Sequence, residues 1–221
     1  MCSSDLLYNH IDPTVVGNDQ RILITEMAGR ASVELKGREL GLDLVEDPQT
    51  LARVVERVKD LEAQGWSFEA ADASFELLVL DEGPDGRAKP YTVESWRTIV
   101  EQRADGTVVC EATVKLHAGG ERVIVTAEGN GPVNALDRAL RRALVRLFPQ
   151  LEGVTLTDYK VRILEGVQGT DAVTRVLIGT TDGQFDWTTV GVHENVIAAS
   201  WIALEDALAY SLLRSARVTA G

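Results

Sequence analysis

Two junctions of one kind, each a strand running through glycine into an amphipathic helix, stand about sixty residues apart in this chain. The first is Glu128-Gly129-Asn130-Gly131-Pro132-Val133-Asn134, followed by a helix that reads Ala139-Leu140-Arg141-Arg142-Ala143-Leu144. The second helix reads Ala203-Leu204-Glu205-Asp206-Ala207-Leu208, with its apolar pairs at identical spacing. Such an echo implies an internal duplication and a pseudo-symmetric module, provided that the strands before each helix agree.

They do agree. Strand-like runs at 96–103, 107–117 and 121–129 are separated by Asp105-Gly106 and Gly119-Gly120 turn signals. In the middle run Val108, Cys110, Ala112, Val114 and Leu116 alternate with more polar neighbours, which predicts one buried face. Runs at 156–164, 172–180 and 184–191 repeat the order before the second helix, with 166–170 and Asp182-Gly183 as turns. The expected fold is α+β: a duplicated module over 91–221 made of two βββα repeats, 91–150 and 154–215. Three-stranded sheets with one covering helix bury little by themselves, so the repeats are expected to pack together and to dimerise.

Upstream, residues 1–82 read as a small helical region. Asp47 followed by Pro48 is a good helix start, because the carboxylate caps free amides and proline suits the first turn. Leu51, Val54, Val55, Val58 and Leu61 then recur at helical spacing until Gly65 stops the run. A second helical stretch is expected over 67–80, carrying Phe68, Ala71, Phe75, Leu78 and Val79. Gly83-Pro84-Asp85-Gly86 reads as a linker, which places a boundary within 82–90.

The chain's 221 residues allow a real core. A net charge of −12 argues against nucleic acid, whose affinity depends on clustered Lys and Arg. Arg138, Arg141, Arg142 and Arg146 form one basic stripe, opposite Leu136, Ala139, Leu140, Ala143 and Leu147, and read as a solvated face, with an anion site as the alternative. The cysteines, Cys2 and Cys110, imply no disulfide framework. The sequence shows no apolar run expected to span a bilayer and no signal-peptide pattern at the N-terminus, so the expectation is a cytoplasmic protein without membrane partners.

Chemistry-bearing motifs are sparse. His10, His117 and His193 are isolated, without metal-ligand spacing, and no metal site or cofactor is expected in this chain. No G-x-S-x-G elbow, phosphate-binding loop or Cys/His nucleophile pattern is present. On physical grounds Gly129-Asn130-Gly131-Pro132 is the best site candidate. Its glycines let backbone approach a ligand, and the free amides of the helix behind them suit a small carboxylate; a plain tight turn is an equal reading of the segment taken alone.

Tyr8-Asn9-His10-Ile11-Asp12-Pro13, Val16-Gly17-Asn18, Gly29-Arg30 and Glu39-Leu40-Gly41-Leu42-Asp43-Leu44 resemble the region that follows the barrel in (R)-citramalate synthases. Phe68-Glu69-Ala70-Ala71 and Ala73-Ser74-Phe75-Glu76-Leu77-Leu78 do the same. The stretches 128–140, 156–164, Thr188-Thr189-Val190-Gly191-Val192 and 198–204 resemble that family's regulatory domain. The resemblance covers nearly the whole chain and favours citramalate synthases over the related 2-isopropylmalate synthases.

That resemblance implies an enzyme condensing acetyl-CoA with pyruvate on the route to isoleucine, of which this chain is the C-terminal part and inactive by itself. The family's catalytic barrel, with its divalent metal, is expected before residue 7. Met1 to Leu6 depart from the pattern, and a truncated gene or an expressed fragment is the expectation. The resemblance implies a homodimer that binds isoleucine, or leucine, as effector. Gly129, Gly131, Pro132 and Ala135 match the family's G-x-G-P-x-x-A segment at the effector pocket, and Asp158 and Tyr159 are added to it. Backbone amides and a polar side chain are expected to hold the amino acid's charged ends, with Val133 and Val161 around its tail. His10 falls in an accessory segment that helps complete the neighbouring subunit's active site, with structural packing as its plainer role. His193 and Cys110 stand where smaller hydroxyl residues are expected; either change is expected to alter effector affinity, and His193 to make it pH-dependent.

Two other classes remain open. A module without effector binding would be a dimerisation scaffold, in which a bulky residue at Gly131 changes only stability. A hot-dog-like thioesterase needs a carboxylate on a long central helix, whereas both helices here are expected to present Ala and Leu inward.

Overall fold

The computed structural model describes residues 29–42, 44, 47–164 and 172–220. His10, Cys2, the other motifs before Gly29, Asp43 and the 166–170 turn lie outside the described residues.

Three helices come first: α1 (Arg30–Glu39), α2 (Pro48–Ala63) and α3 (Asp72–Asp81). The expected start of α2 forms. The Asp47 carboxylate accepts from the backbone N–H groups of Gln49 and Thr50 at 3.1 Å each and from the Thr50 hydroxyl, which holds its carboxyl below the ordinary range. The helix runs out before Gly65, whose φ of +100° suits glycine alone. The stretch expected over 67–80 is helical only from Asp72, because Ser67 to Ala71 form the entry that drops Phe68 into the core. Helix α1 has no apolar stripe to announce it. It is held by Val33 and by Lys36, a buried side chain that reaches across to Asp72.

The first repeat comprises β1 (Tyr91–Gln102), β2 (Val108–Ala118), β3 (Glu121–Gly129) and α4 (Pro132–Val145). A 3-10 turn (Pro149–Gly153) leads to the second, with β4 (Thr155–Ile163), β5 (Thr174–Thr181), β6 (Asp186–His193) and α5 (Val196–Ala220). Each trio is an antiparallel meander in sequence order, so the duplicated βββα fold is present. Strand β1 starts at Tyr91 rather than at residue 96. Its early residues pair with the end of β2 across a bulge between Val93 and Ser95, and β4 carries the matching bulge between Leu156 and Asp158. A bulge admits one unpaired residue and re-aims the side chains beyond it.

In each repeat the helix lies on one face of its sheet. Ala135, Ala139 and Ala143 with Leu136, Leu140 and Leu144 bury α4, while Val108, expected on that buried face, stands 56% exposed at the strand end. The two halves then clasp each other through their first strands. Arg141 on α4 donates to the Val154 carbonyl at the entry to β4, and the Tyr91 hydroxyl at the start of β1 donates to the Glu205 carbonyl on α5 at 3.2 Å. Trp96 of β1 stacks on Trp201 of α5 at 5.6 Å between ring centres. Arg141 is therefore no solvated stripe residue: it is largely buried, and it also pairs with Asp137 at 2.7 Å. Arg138 and Arg146 stay at the surface, on the Glu128 carbonyl and on Glu121.

The back of the second sheet is covered as well. Val190 and Val192 of β6 share a core with Phe68, Phe75, Val54 and Leu61, so α2 and α3 lie across it. Helix α5 is thus central. Over Val196–Arg217 it is long and apolar enough to cross a membrane by length and composition, contrary to the expectation that no such run exists; 56% of its most apolar window is buried inside the protein. It also breaks the expected apolar face. Glu205 bonds the Trp201 indole and Asp206 bonds Ser74, and burial pushes both carboxyls up.

Candidate functional site

The first strand–helix junction is assembled by register. Val100, Cys110 and Gly129 lie directly across from one another on β1, β2 and β3, on the face that α4 covers. The helix reaches Gly129 and Cys110 but leaves Val100 56% exposed. A Cβ on Gly129 would lie 2.5 Å from the Ala135 nitrogen, so the bare position admits the first turn of α4. That corrects the expectation that Gly129 clears room for a ligand. Ala135 is the residue seated against it and is fully buried.

Gly131 is different. Its backbone is extended, and a Cβ there would meet nothing within 4 Å. Pro132 opens the helix, no side chain caps it, and Asn134 turns back to accept from the Asn130 N–H at 3.3 Å. Uncapped amides at a helix start carry partial positive charge and favour a carboxylate. Val133 follows Pro132 in this first turn and is half-buried, and Val100 stands exposed two strands away on the rung of Gly129.

The second junction is closed by its own residues. Asn195 accepts from the N–H groups of Ile197 and Ala198 at 2.8 and 3.2 Å, which caps α5. His193 accepts from the Asn195 N–H through Nδ1 at 2.8 Å. The unexpected histidine thus supports a cap. Cys110 is buried beneath α4.

Gly129, Gly131, Pro132 and Ala135 therefore come together at one junction, whereas Asp158 and Tyr159 lie on the second sheet. Tyr159 follows the β4 bulge as Trp96 follows that of β1: Trp96, Val114 and Val125 form one rung, and Tyr159, Ile178 and Thr189 form its counterpart. The Tyr159 hydroxyl donates to Ser200 at 2.8 Å, because Ser200 spends its own hydrogen on the Val196 carbonyl. Asp158 is exposed and paired with Lys160, which holds its carboxyl below the ordinary range. Val161 borders a cleft with Ser67, Glu69 and Arg175 rather than standing with Val133. Val100, Asn134 and Asn195 are the contributors that sequence reasoning passed over; the cross-strand register of Val100 was the available signal.

Residues 69–212 match the LeuA allosteric (dimerisation) domain. The chain belongs to that family. Among similar proteins, the (R)-citramalate synthase of Streptomyces coelicolor is 62% identical over 209 residues, covering 95% of this chain and 39% of the relative. The (R)-citramalate synthase of Aquifex aeolicus is 43% identical over 209 residues (94% and 39%), and that of Synechocystis sp. 43% over 211 residues (93% and 38%). The matched stretch is the C-terminal region of those relatives. The LeuA-type domain thus accounts for both repeats and α3. No group of three or more His, Cys, Asp or Glu that could hold a metal ion occurs among the described residues.

Proposed function

We propose that this chain is the accessory and regulatory region of a citramalate synthase, the enzyme type that joins acetyl-CoA to pyruvate, and that its first repeat binds isoleucine as feedback effector. The observation that carries the reading is the contrast between the two helix starts. Both are built alike, yet α5 is capped by Asn195 while α4 is uncapped and open at Gly131. An amino acid's carboxylate suits the amides, and its aliphatic tail suits Val100 and Val133.

A homodimer would complete this arrangement. Tyr159, Val161 and Ile163 share the helix side of β4 and are 42%, 45% and 69% exposed, an apolar edge for a second copy to cover. Calorimetric titration with isoleucine, leucine and valine, with the solution mass recorded alongside, tests the reading. Saturable heat from isoleucine on a dimer supports it; heat from leucine alone moves the effector to leucine. A folded dimer silent to all three is a scaffold.

A further inference from the structure

Helix α3 is buried on almost every side, and two of its buried residues are polar. Ser74 and Glu76 are each 3% exposed. The Ser74 hydroxyl accepts from the Val190 N–H of β6 at 3.0 Å and gives its own hydrogen to Oδ2 of Asp206 on α5 at 2.8 Å. One turn along α5, Tyr210 donates to Glu76 at 2.8 Å, and Arg217 pairs with the same carboxylate. The two anchors differ in charge balance: Glu76 has a cation in direct contact, whereas the hydrogen bond that Asp206 receives comes from a neutral hydroxyl.

The charged groups around Asp206 do not reverse that. Arg87, from the segment between α3 and β1, attracts it, but its guanidinium forks onto Asp81 at 3.0 and 3.2 Å. Asp81 on α3 and Glu205 on α5 repel it. Arg57 of α2 and Glu82 border the same cleft of about 200 Å³. From β6 the facing group is the Val190 amide.

We infer that Asp206 makes the docking of α3 on the second repeat a proton-controlled latch: α3 closes over this carboxyl with no cation in contact, so docking is firm when the carboxyl is neutral and loosens when it ionises, while the Ser74 bond holds in both states. The inference is independent of the effector reading. Burial pushes the Asp206 carboxyl up to about 7, with the Ser74 bond pulling back only part of the way. An undocked aspartate ionises near 4. The docked form therefore holds an extra proton between these values, and docking weakens as pH rises from about 4 to 7, then levels off.

Hydrogen exchange on the whole chain, corrected for intrinsic rates, tests this over residues 72–81. Between pH 5.5 and 8 the protection of α3 is expected to fall by on the order of tenfold. Asp206→Asn, a neutral near-isostere, should hold protection flat across that range. Ser74→Ala should lower it at both ends while the slope remains. A flat wild type, or an Asp206→Asn chain with the wild-type slope, overturns the latch. Should Asp206→Asn fail to fold, the carboxyl carbon shift of wild-type Asp206 decides: titration near neutrality in step with α3 protection supports the latch, and titration below pH 5 overturns it.

Discussion

The two repeats share strand order, cross-strand register and the position of their bulges, and they differ at their helix starts and on their sheet backs. In the first, α4 begins uncapped beside open space, and the sheet back is an uncovered mixed surface on which Ile99 and Ile124 stand exposed beside the Arg122–Glu94 pair and the Thr113–Thr126 hydroxyl bond. In the second, Asn195 caps α5, and α2 and α3 cover the sheet. Duplication supplied one scaffold twice. Divergence left one copy a set of helix amides without a side-chain cap and gave the other a buried back that binds the accessory helices.

The largest effect expected from breaking the likeness is at Gly191. An added Cβ would lie 2.0 Å from the Ala199 carbonyl oxygen, where α5 rests directly on β6. Gly191→Ala should cost about 3 kcal/mol or more, read as a shifted urea midpoint. Gly129→Ala, with its nearest contact at 2.5 Å, should cost less, about 1–3 kcal/mol. Gly131→Val meets neither obstacle. It should change stability by no more than about 0.5 kcal/mol while weakening isoleucine binding at least tenfold, which separates a ligand site from a scaffold.

Cap exchange sharpens the contrast further. Asn195→Ala should cost about 1 kcal/mol in thermal unfolding and leave isoleucine affinity unchanged. Gly131→Asn, which gives α4 the cap that α5 has, should stabilise by only a few tenths of a kcal/mol yet lower affinity, since the new side chain competes for the same amides.

Much of this was legible in advance because local chemistry dictates it. Asp105-Gly106, Gly119-Gly120 and Asp182-Gly183 supply the positive φ that tight turns need, and the Asp47-Pro48 cap marks α2 outright. Long-range pairing was not. Helix α1 depends on a Lys36–Asp72 contact across 36 positions, and Arg141 is drawn inward by a carbonyl of the other repeat. Asp206 reads as one polar residue on an apolar helix until Ser74 is seen 132 positions away. At the site, the glycine segment was found by its motif, but the separate duties of Gly129 and Gly131 depend on where α4 lies.

The most direct test is an amide proton–nitrogen correlation spectrum of the chain during titration with isoleucine. Saturable shifts at Val133 and Asn134, with Ile197 and Ala198 still, are what the divergence of the two helix starts predicts. Equal movement at both junctions, movement at the second alone, or binding with no shift at either would contradict it.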